Sequence, residues 1–459
     1  MRSLLRLLLC NLLLLASMSY AQTPGTGMYP FSSFDRTGFD SINLGNLNVH
    51  FEIPIANKHG RGQNLNYTLA YDGLIWSPSS GSGNTTWVAS LGRGFLGVLN
   101  GQISGYMTND YTLHLCASPY PLIKNYTNFV FHDSLGGTHK FNYALTTSTC
   151  GGTSQVQGDG SSNDGSGLSY RLGTVYTRDG TVINAPVSTG GMYGNQSGAT
   201  IVDRNGNTLT DQGNGTFVDT TGSTALTIAG FGNSSSPTSI TYPVINQAGG
   251  ATTATATINY KTYTVQSNFQ CANIGESGAV SVDLVDRVTL PDSPSDAFSF
   301  TYEPVPGFPG SVTGRLQSIR LSTGGTISYS YNGGCSGTGT NSDGTVSGLT
   351  RSTSDGTRSY TQAPVNGNAT TTTLQDEAGN QTVYHFSIAS GLFFETHRQV
   401  YQGAVSGSNL LDRYSCYNGA TANCDGQSVT LPITEVDVLT SYNNQSQDFS
   451  RSSYDTKGT

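Results

Sequence analysis

The sequence predicts an all-β protein: stacked antiparallel hairpins forming a large curved or spiral β-sheet. Three observations carry this reading. Gly (58 of 459 residues) and Pro (16) punctuate the chain, and good helix formers are sparse. Apolar side chains also alternate with Ser, Thr and Asn over many short stretches. Charged residues make up 11%, well below the roughly 25% of an average globular protein. That excludes a coiled coil, a charge-rich disordered tail and a basic nucleic-acid binder. Hydrophobic content is only 35%, but 25 Tyr and 18 Phe supply large faces for a core.

Residues 1–21 read as a secretory signal peptide. Arg2 and Arg6 precede an apolar run from Leu7 to Ala16, and Ser19-Tyr20-Ala21 places small residues where a signal peptidase reads. The run is about half the ~20 residues of a membrane-spanning helix, so no membrane span is expected after cleavage. Cleavage removes two of the 21 basic residues and none of the 29 acidic ones, leaving a chain more acidic than the formal −8. Nucleic acid and anionic membrane surfaces are therefore poor partners, and the expected location is secreted or cell surface.

The strands follow by alternation. Asn48 to Pro54 opens the series, and Leu65, Tyr67, Leu69 and Tyr71 fall on one face. Phe298, Phe300 and Tyr302 repeat the pattern, as do Ile327, Tyr329 and Tyr331, then Tyr384 and Phe386. Period two puts these side chains on one side of a sheet. Between them Asp179-Gly180, Asn205-Gly206, Asp343-Gly344, Asp355-Gly356 and Gly379-Asn380 mark hairpin turns. Gly151 to Gly167 reads as a flexible surface loop. The chain divides into an N-terminal β region (22–230), a middle region (231–345) and a C-terminal repeat region (346–459), either as separable domains or as strips of one continuous sheet.

Cleavage also removes Cys10, leaving Cys116, Cys150, Cys271, Cys335, Cys416 and Cys424. An even count in an exported chain favours disulfides, although six cysteines allow 15 connectivities. Cys416 and Cys424 flank a Gly/Asn/Ala-rich loop that can close as a local staple. Cys116–Cys150 is the second expected pair and Cys271–Cys335 follows by elimination.

One unit carries a family resemblance. Gly314-Arg315-Leu316, the Gly324-Gly325 turn and Ser328-Tyr329-Ser330-Tyr331-Asn332-Gly333-Gly334 resemble one tyrosine–aspartate (YD) repeat of the Rhs proteins, with Asn332 in place of the usual Asp. Weaker units lie at Asp203 to Asn207, Asp376 to Asn380 and Tyr454-Asp455-Thr456-Lys457-Gly458. Phe39 to Trp76, with Asn43 to Leu47, Ile53-Pro54 and Gly60-Arg61-Gly62, looks like the opening strands of an Rhs-type shell. The resemblance implies a hollow β shell of stacked hairpins, often enclosing a toxic C-terminal domain. No Asp-Pro pair occurs, so the family's self-cleavage signature is absent. The implied product is a wall segment without cargo, with a further shell chain or a C-terminal continuation as partner. Its last repeat is expected to be incomplete, so that the stretch from Ser441 onward ends in an unprotected or poorly ordered strand that either frays or recruits a partner by strand addition.

Chemistry is harder to find. No nucleophile elbow, His-Glu-x-x-His motif, dinucleotide fingerprint or phosphate-cradling Gly-Lys-Ser/Thr loop is present. His132 and His139 flank a turn at Asp133 and would hold a metal only by facing each other; solvent-facing strand positions are the plainer expectation. Asp203, Asn205 and Asn207 lack the spacing and terminal Glu of a calcium loop. Asp159 and Asp164 could make a weak surface calcium site, and Trp76 and Trp87 either a sugar-stacking platform or core packing. The reading is therefore no catalytic, metal or cofactor residues, and an exported structural shell segment. The alternatives are a secreted adhesin with a cell-surface glycan as partner, and a hydrolase with an unmarked site.

Overall fold

The computed structural model describes residues 25–455, except 59–64, 82–83, 97–102, 118–122, 148–149, 151, 190–198, 292–296, 367, 420–423 and 444–445. The signal segment 1–21, Gly60-Arg61-Gly62 and the tail that holds Gly458 lie outside the described residues. Among the described residues there is no α-helix, and no helix long and apolar enough to cross a membrane.

Most of the chain forms one 21-stranded sheet running from Ser169–Arg171 to Ser446–Ser453. Its strands follow one another almost entirely in chain order, so it is a meander of hairpins. The sheet continues without interruption past residue 230, where Thr224–Ala229 pairs with Thr238–Ile245. It also continues past residue 345, where Thr326–Asn332 pairs with Gly348–Thr353. The middle and C-terminal regions are thus strips of one sheet. The N-terminal region is more divided. The segment read as opening shell strands forms a five-stranded sheet of its own, ordered Phe34–Arg36, Asp40–Asn43, Val49–Lys58, Leu65–Asp72, Phe95–Leu96. Residues 106 to 189 contribute a further six-stranded sheet, in which Val187–Thr189 pairs in parallel with Tyr106–His114.

Local chemistry makes the hairpins. At Asp203, Asp219 and Asp376 the turn closes with a bond from the Gly three residues on to the Asp carbonyl, and that same Gly has φ of +83°, +77° and +83°. This is a type I turn with a glycine bulge. The Asp carboxylate latches it: Asp376 Oδ1 accepts from Ala378 N at 2.9 Å and Asn380 N at 2.8 Å. Asp203 does the same for Asn205 and Asn207, both at 2.8 Å, so its oxygens serve the turn.

The alternating residues are core. Tyr67, Leu69, Tyr71, Phe298, Phe300, Tyr302, Ile327, Tyr329, Tyr384 and Phe386 are all buried in one cluster shared between the five-stranded sheet and the large sheet. Phe51 stacks on Phe39 at 5.3 Å and Tyr71 at 5.1 Å, and Phe39 stacks on Phe298 at 5.6 Å. Trp76 and Trp87 pack edge-on against Phe269 at 5.8 and 5.2 Å and are 4% and 2% exposed. They form no sugar platform.

A polar seam joins the two sheets. Arg351 grips Asp40 with Nε at 2.8 Å and Nη2 at 2.7 Å, and Tyr329 donates to the same carboxylate at 2.7 Å. The Arg351 and Asp40 side chains are 5% and 0% exposed. Next along the seam, Arg358 and Tyr360 donate to Asp35 at 2.9 and 2.6 Å, Gln362 to the Gly45 carbonyl, and Thr372 to the Leu44 carbonyl at 2.6 Å.

One expectation differs from the structure. The tract 152–167 is folded: Ser162 and Asp164 are buried, because Asp164 pairs with His139. The final strand, Ser446–Ser453, pairs along its length with Glu435–Tyr442 and leaves its outer edge open, the unprotected of the two expected endings. Arg451 forks onto Asp437 there at 2.6 Å for both bonds, and Tyr454 stands edge-on to Phe31 at 5.1 Å.

Removing one member of a buried pair leaves the other charge without a partner. Arg351→Ala should therefore lower unfolding free energy by about 3–5 kcal/mol, whereas Arg451→Ala, at a pair whose arginine is solvent-exposed, should cost clearly less. Chemical denaturation of both variants checks this; equal effects would show that the seam is not what joins the sheets.

Candidate functional site

The sequence-predicted repeat unit forms a packed structural device. Gly314 has φ +88°, and a Cβ there would press on Ile75 at 3.2 Å. The next residue, Arg315, is 3% exposed and forks onto Glu303 with Nε at 2.8 Å and Nη2 at 2.9 Å. Its guanidinium lies 4.1 Å above the Tyr331 ring and 5.2 Å from Phe269. Remaining donors reach Thr340 Oγ1 at 2.9 Å and the Thr338 carbonyl at 2.8 Å. Leu316 is wholly buried, and Tyr331 donates to its carbonyl at 3.1 Å. Asn332 pairs with Gly348, and Gly333 turns the chain with φ +73°. The Arg of one strand thus caps the second Tyr of the next.

Three disulfides close the chain, Cys116–Cys150, Cys271–Cys335 and Cys416–Cys424. Bonds of this kind form in oxidising compartments.

A cavity of about 550 Å³ lies between the sheets, lined among others by Asp72, Trp76, His132, Gly136, Asp164 and Leu392. His132 and His139 do not converge in it. His139 pairs with Phe131 across the hairpin, one position out of step with His132, so the two rings take opposite faces. His139 is gripped from both sides, Nδ1 by Asp164 at 2.5 Å and Nε2 by Asp133 at 3.1 Å. Burial works to lower its pKa, but the hydrogen bonds and charges of Asp133 and Asp164 outweigh that and raise it to about 9. His132 stacks on Tyr106 at 4.4 Å and bonds Thr108 Oγ1 at 2.9 Å. Burial, reinforced by the His139 charge and opposed by Asp133, pulls its pKa down to about 4. A threonine–imidazole pair alone is no triad: among the described residues no carboxylate is hydrogen-bonded to the other His132 nitrogen. Asp72 Oδ1 accepts from Gly27 N at 3.0 Å, Asn48 Nδ2 at 2.5 Å and His50 Nδ1 at 3.2 Å. Burial works to lower the His50 pKa, but Asp72, with Glu52 on the other nitrogen, raises it to about 10. Asp159 latches its own turn through Ser161, and its separation in role from the buried Asp164 removes the surface calcium reading.

One constellation escaped the sequence. His385 and His397 are direct cross-strand partners on Gln381–Ala389 and Leu392–Gln402, with ring centroids 5.0 Å apart. Asp425 sits over both, Oδ1 3.0 Å from His385 Nδ1 and Oδ2 3.5 Å from His397 Nδ1. The hydrogen bond from His385, with His397 beside it, holds the Asp425 carboxyl well below the usual carboxylate range. One ligand atom from each of the three lies within 4.8 Å of the other two. Only the loss of register between His385 and Phe386 puts both rings on one face, and no sequence signal marks that bulge.

No family model matches this chain, and no curated protein matches it either. Fold and side chains define an all-β protein built on a long, disulfide-bonded antiparallel meander.

The two histidines of this hairpin, His132 and His139, set opposite slopes in stability against pH. His132 stays neutral when folded down to about 4, while unfolded it titrates at 6.5, so stability falls as pH drops through that window. His139 is raised, so its contribution is complete below 6.5 and is lost as pH rises through about 9; His50 adds the same sign up to about 10. Denaturation curves across pH 4–10 should peak near neutrality. His139→Gln should flatten the alkaline limb and His132→Gln the acid limb; an unchanged profile in both would contradict these assignments.

Proposed function

We propose that this chain is an exported, non-catalytic structural segment of an Rhs/YD-repeat type β shell. It serves as container wall or scaffold in a surface or toxin-delivery system. The single observation that carries the reading is the 21-stranded meander in chain order, joined to a Gly-Arg-Leu/Tyr-x-Tyr unit whose arginine is clamped between strands. Such hairpins bury their aromatic face only against a neighbour or cover, which is the physical requirement of a wall. The disulfides fit an oxidising destination. A further shell chain or a continuation of this one would dock along the outer edge of Ser446–Ser453, the last strand of the sheet, by strand addition. A glycan-binding surface has less support, because both tryptophans are inside.

Intact mass and electron microscopy of the product recovered from the medium test this. The expected result is a secreted β particle with an enclosed interior and no turnover of peptide, ester or glycosidic substrates. A compact particle without an interior, or turnover abolished by one carboxylate substitution, would overturn it.

A further inference from the structure

We propose that His385, His397 and Asp425 form a binding site for a divalent first-row transition metal ion, with Zn²⁺ the best fit. The three side chains come from separate stretches of chain, and the backbone around each is fixed by contacts outside the trio. Regular pairing of the hairpin around Ser390-Gly391 would set His385 opposite Thr396 and send the two rings to opposite faces. The bulge at Thr396 instead makes His397 the partner of His385. Thr396 Oγ1 then donates to the His385 carbonyl at 3.3 Å and accepts from Gly426 N at 3.4 Å, tying the third ligand's loop to the strand pair. That loop is anchored from its other side by Cys424, bonded to Cys416 on Ser408–Tyr417. A turn from the Cys424 carbonyl to Gln427 N at 3.1 Å places Asp425 at its tip.

His397 points to a ligand by itself. It is 4% exposed, its ring lies on Tyr414 at 4.1 Å, and its Nε2 bonds Asp412 Oδ1 at 2.9 Å. Its other nitrogen, Nδ1, is buried, has no hydrogen-bond partner and faces Asp425 Oδ2 at 3.5 Å. A divalent cation between that nitrogen and the Asp425 carboxylate would satisfy both. A carboxylate behind a ligating imidazole is the usual outer support of a metal-bound histidine. Asp412 is itself fixed by Gln399 at 3.1 Å and Asn409 at 2.5 Å.

The chemistry selects the ion. Ligands about 2.0–2.1 Å from a tetrahedral Zn²⁺ stand about 3.4 Å from each other. The contacts of 3.0 and 3.5 Å, to the two oxygens of Asp425, bracket that value, and the three ligand atoms lie within 4.8 Å of one another, so the site draws in by about an ångström to close on the ion. Two imidazoles suit zinc and its neighbours, whereas Ca²⁺ and Mg²⁺ demand oxygen. Asp412 and Asp425 together balance the charge of a divalent ion. His385 and Asp425 are 27% and 30% exposed, which leaves an entry path and a fourth position for water.

Untagged protein from oxidising medium, stripped with EDTA and titrated with Zn²⁺ by calorimetry, tests the site. One equivalent should bind, Ca²⁺ should not compete, and Asp425→Asn or His397→Gln should weaken binding more than about 100-fold. Asp412→Asn should cost about 10–100-fold, and His114→Gln, at an exposed histidine, should change nothing. Co²⁺ in place of Zn²⁺ should give visible ligand-field absorption that Asp425→Asn abolishes. Paired Cys416→Ser and Cys424→Ser substitutions touch no ligand and should still weaken Zn²⁺ binding while the β circular dichroism persists. Zn²⁺ uptake by the unaltered protein no tighter than by Asp425→Asn, or equal loss in His114→Gln, overturns the proposal.

Discussion

The Asp40 carboxylate, shut between Arg351 and Tyr329, is the junction on which the rest of the structure depends. A meander has a simple weakness: each strand touches its neighbours, and one entire face of the sheet needs a cover. Here the five-stranded sheet is that cover, and Phe39, Phe51 and Tyr71 supply its apolar contact. Apolar contact alone tolerates sliding. A bidentate arginine does not, because both N–H groups must meet both oxygens at once. A slip of one residue in Gly348–Thr353 would carry Arg351 to the opposite face and leave Asp40 buried without its partner. The pair therefore contributes registration between the sheets more than net stability.

Within the large sheet the same economy of charge makes the turns. Asp203, Asp219 and Asp376 each fold their carboxylate onto the backbone N–H groups of their own turn. Such a turn is complete without help from elsewhere, so successive strands pair with their sequence neighbours and the sheet grows in chain order. Arg315 carries the logic one step further. Its stacking on Tyr331 couples two adjacent strands through a side chain as well as through the ladder, which is why Gly-Arg-Leu and Tyr-x-Tyr occur as one unit.

Much of this was legible in the sequence. Period-two alternation located the inward face from Tyr67 to Phe386, and the Asp/Asn-Gly pairs located the turns. The failures share a cause. Gly and Ser in 152–167 read as flexible because composition cannot show that Asp164 meets His139. The separate five-stranded sheet was invisible because strand signals do not say which sheet a strand joins. The His385–His397–Asp425 constellation depends on a bulge that shifts the register by one residue, and on a carboxylate brought in from a covalently pinned loop. Neither leaves a mark in local pattern.

The histidines show why residue type alone says little about chemistry in a protein so poor in charge. His132 and His139 lie seven positions apart on one hairpin, yet one is held neutral against an aromatic ring and the other is clamped between two carboxylates. Their difference comes from which face each occupies, and that follows from register. His397 is a third case. It has a carboxylate behind Nε2, as His139 has on each nitrogen, but its second nitrogen is left without a hydrogen bond. Where carboxylates are scarce, most are already engaged: with a backbone turn, as in Asp376; with an arginine, as in Asp40; or with an imidazole, as Asp133 and Asp164 are on the two sides of His139. A buried nitrogen left without a hydrogen bond and facing a carboxylate departs from that pattern, and it occurs where a bulge and a disulfide together hold three donor groups in place.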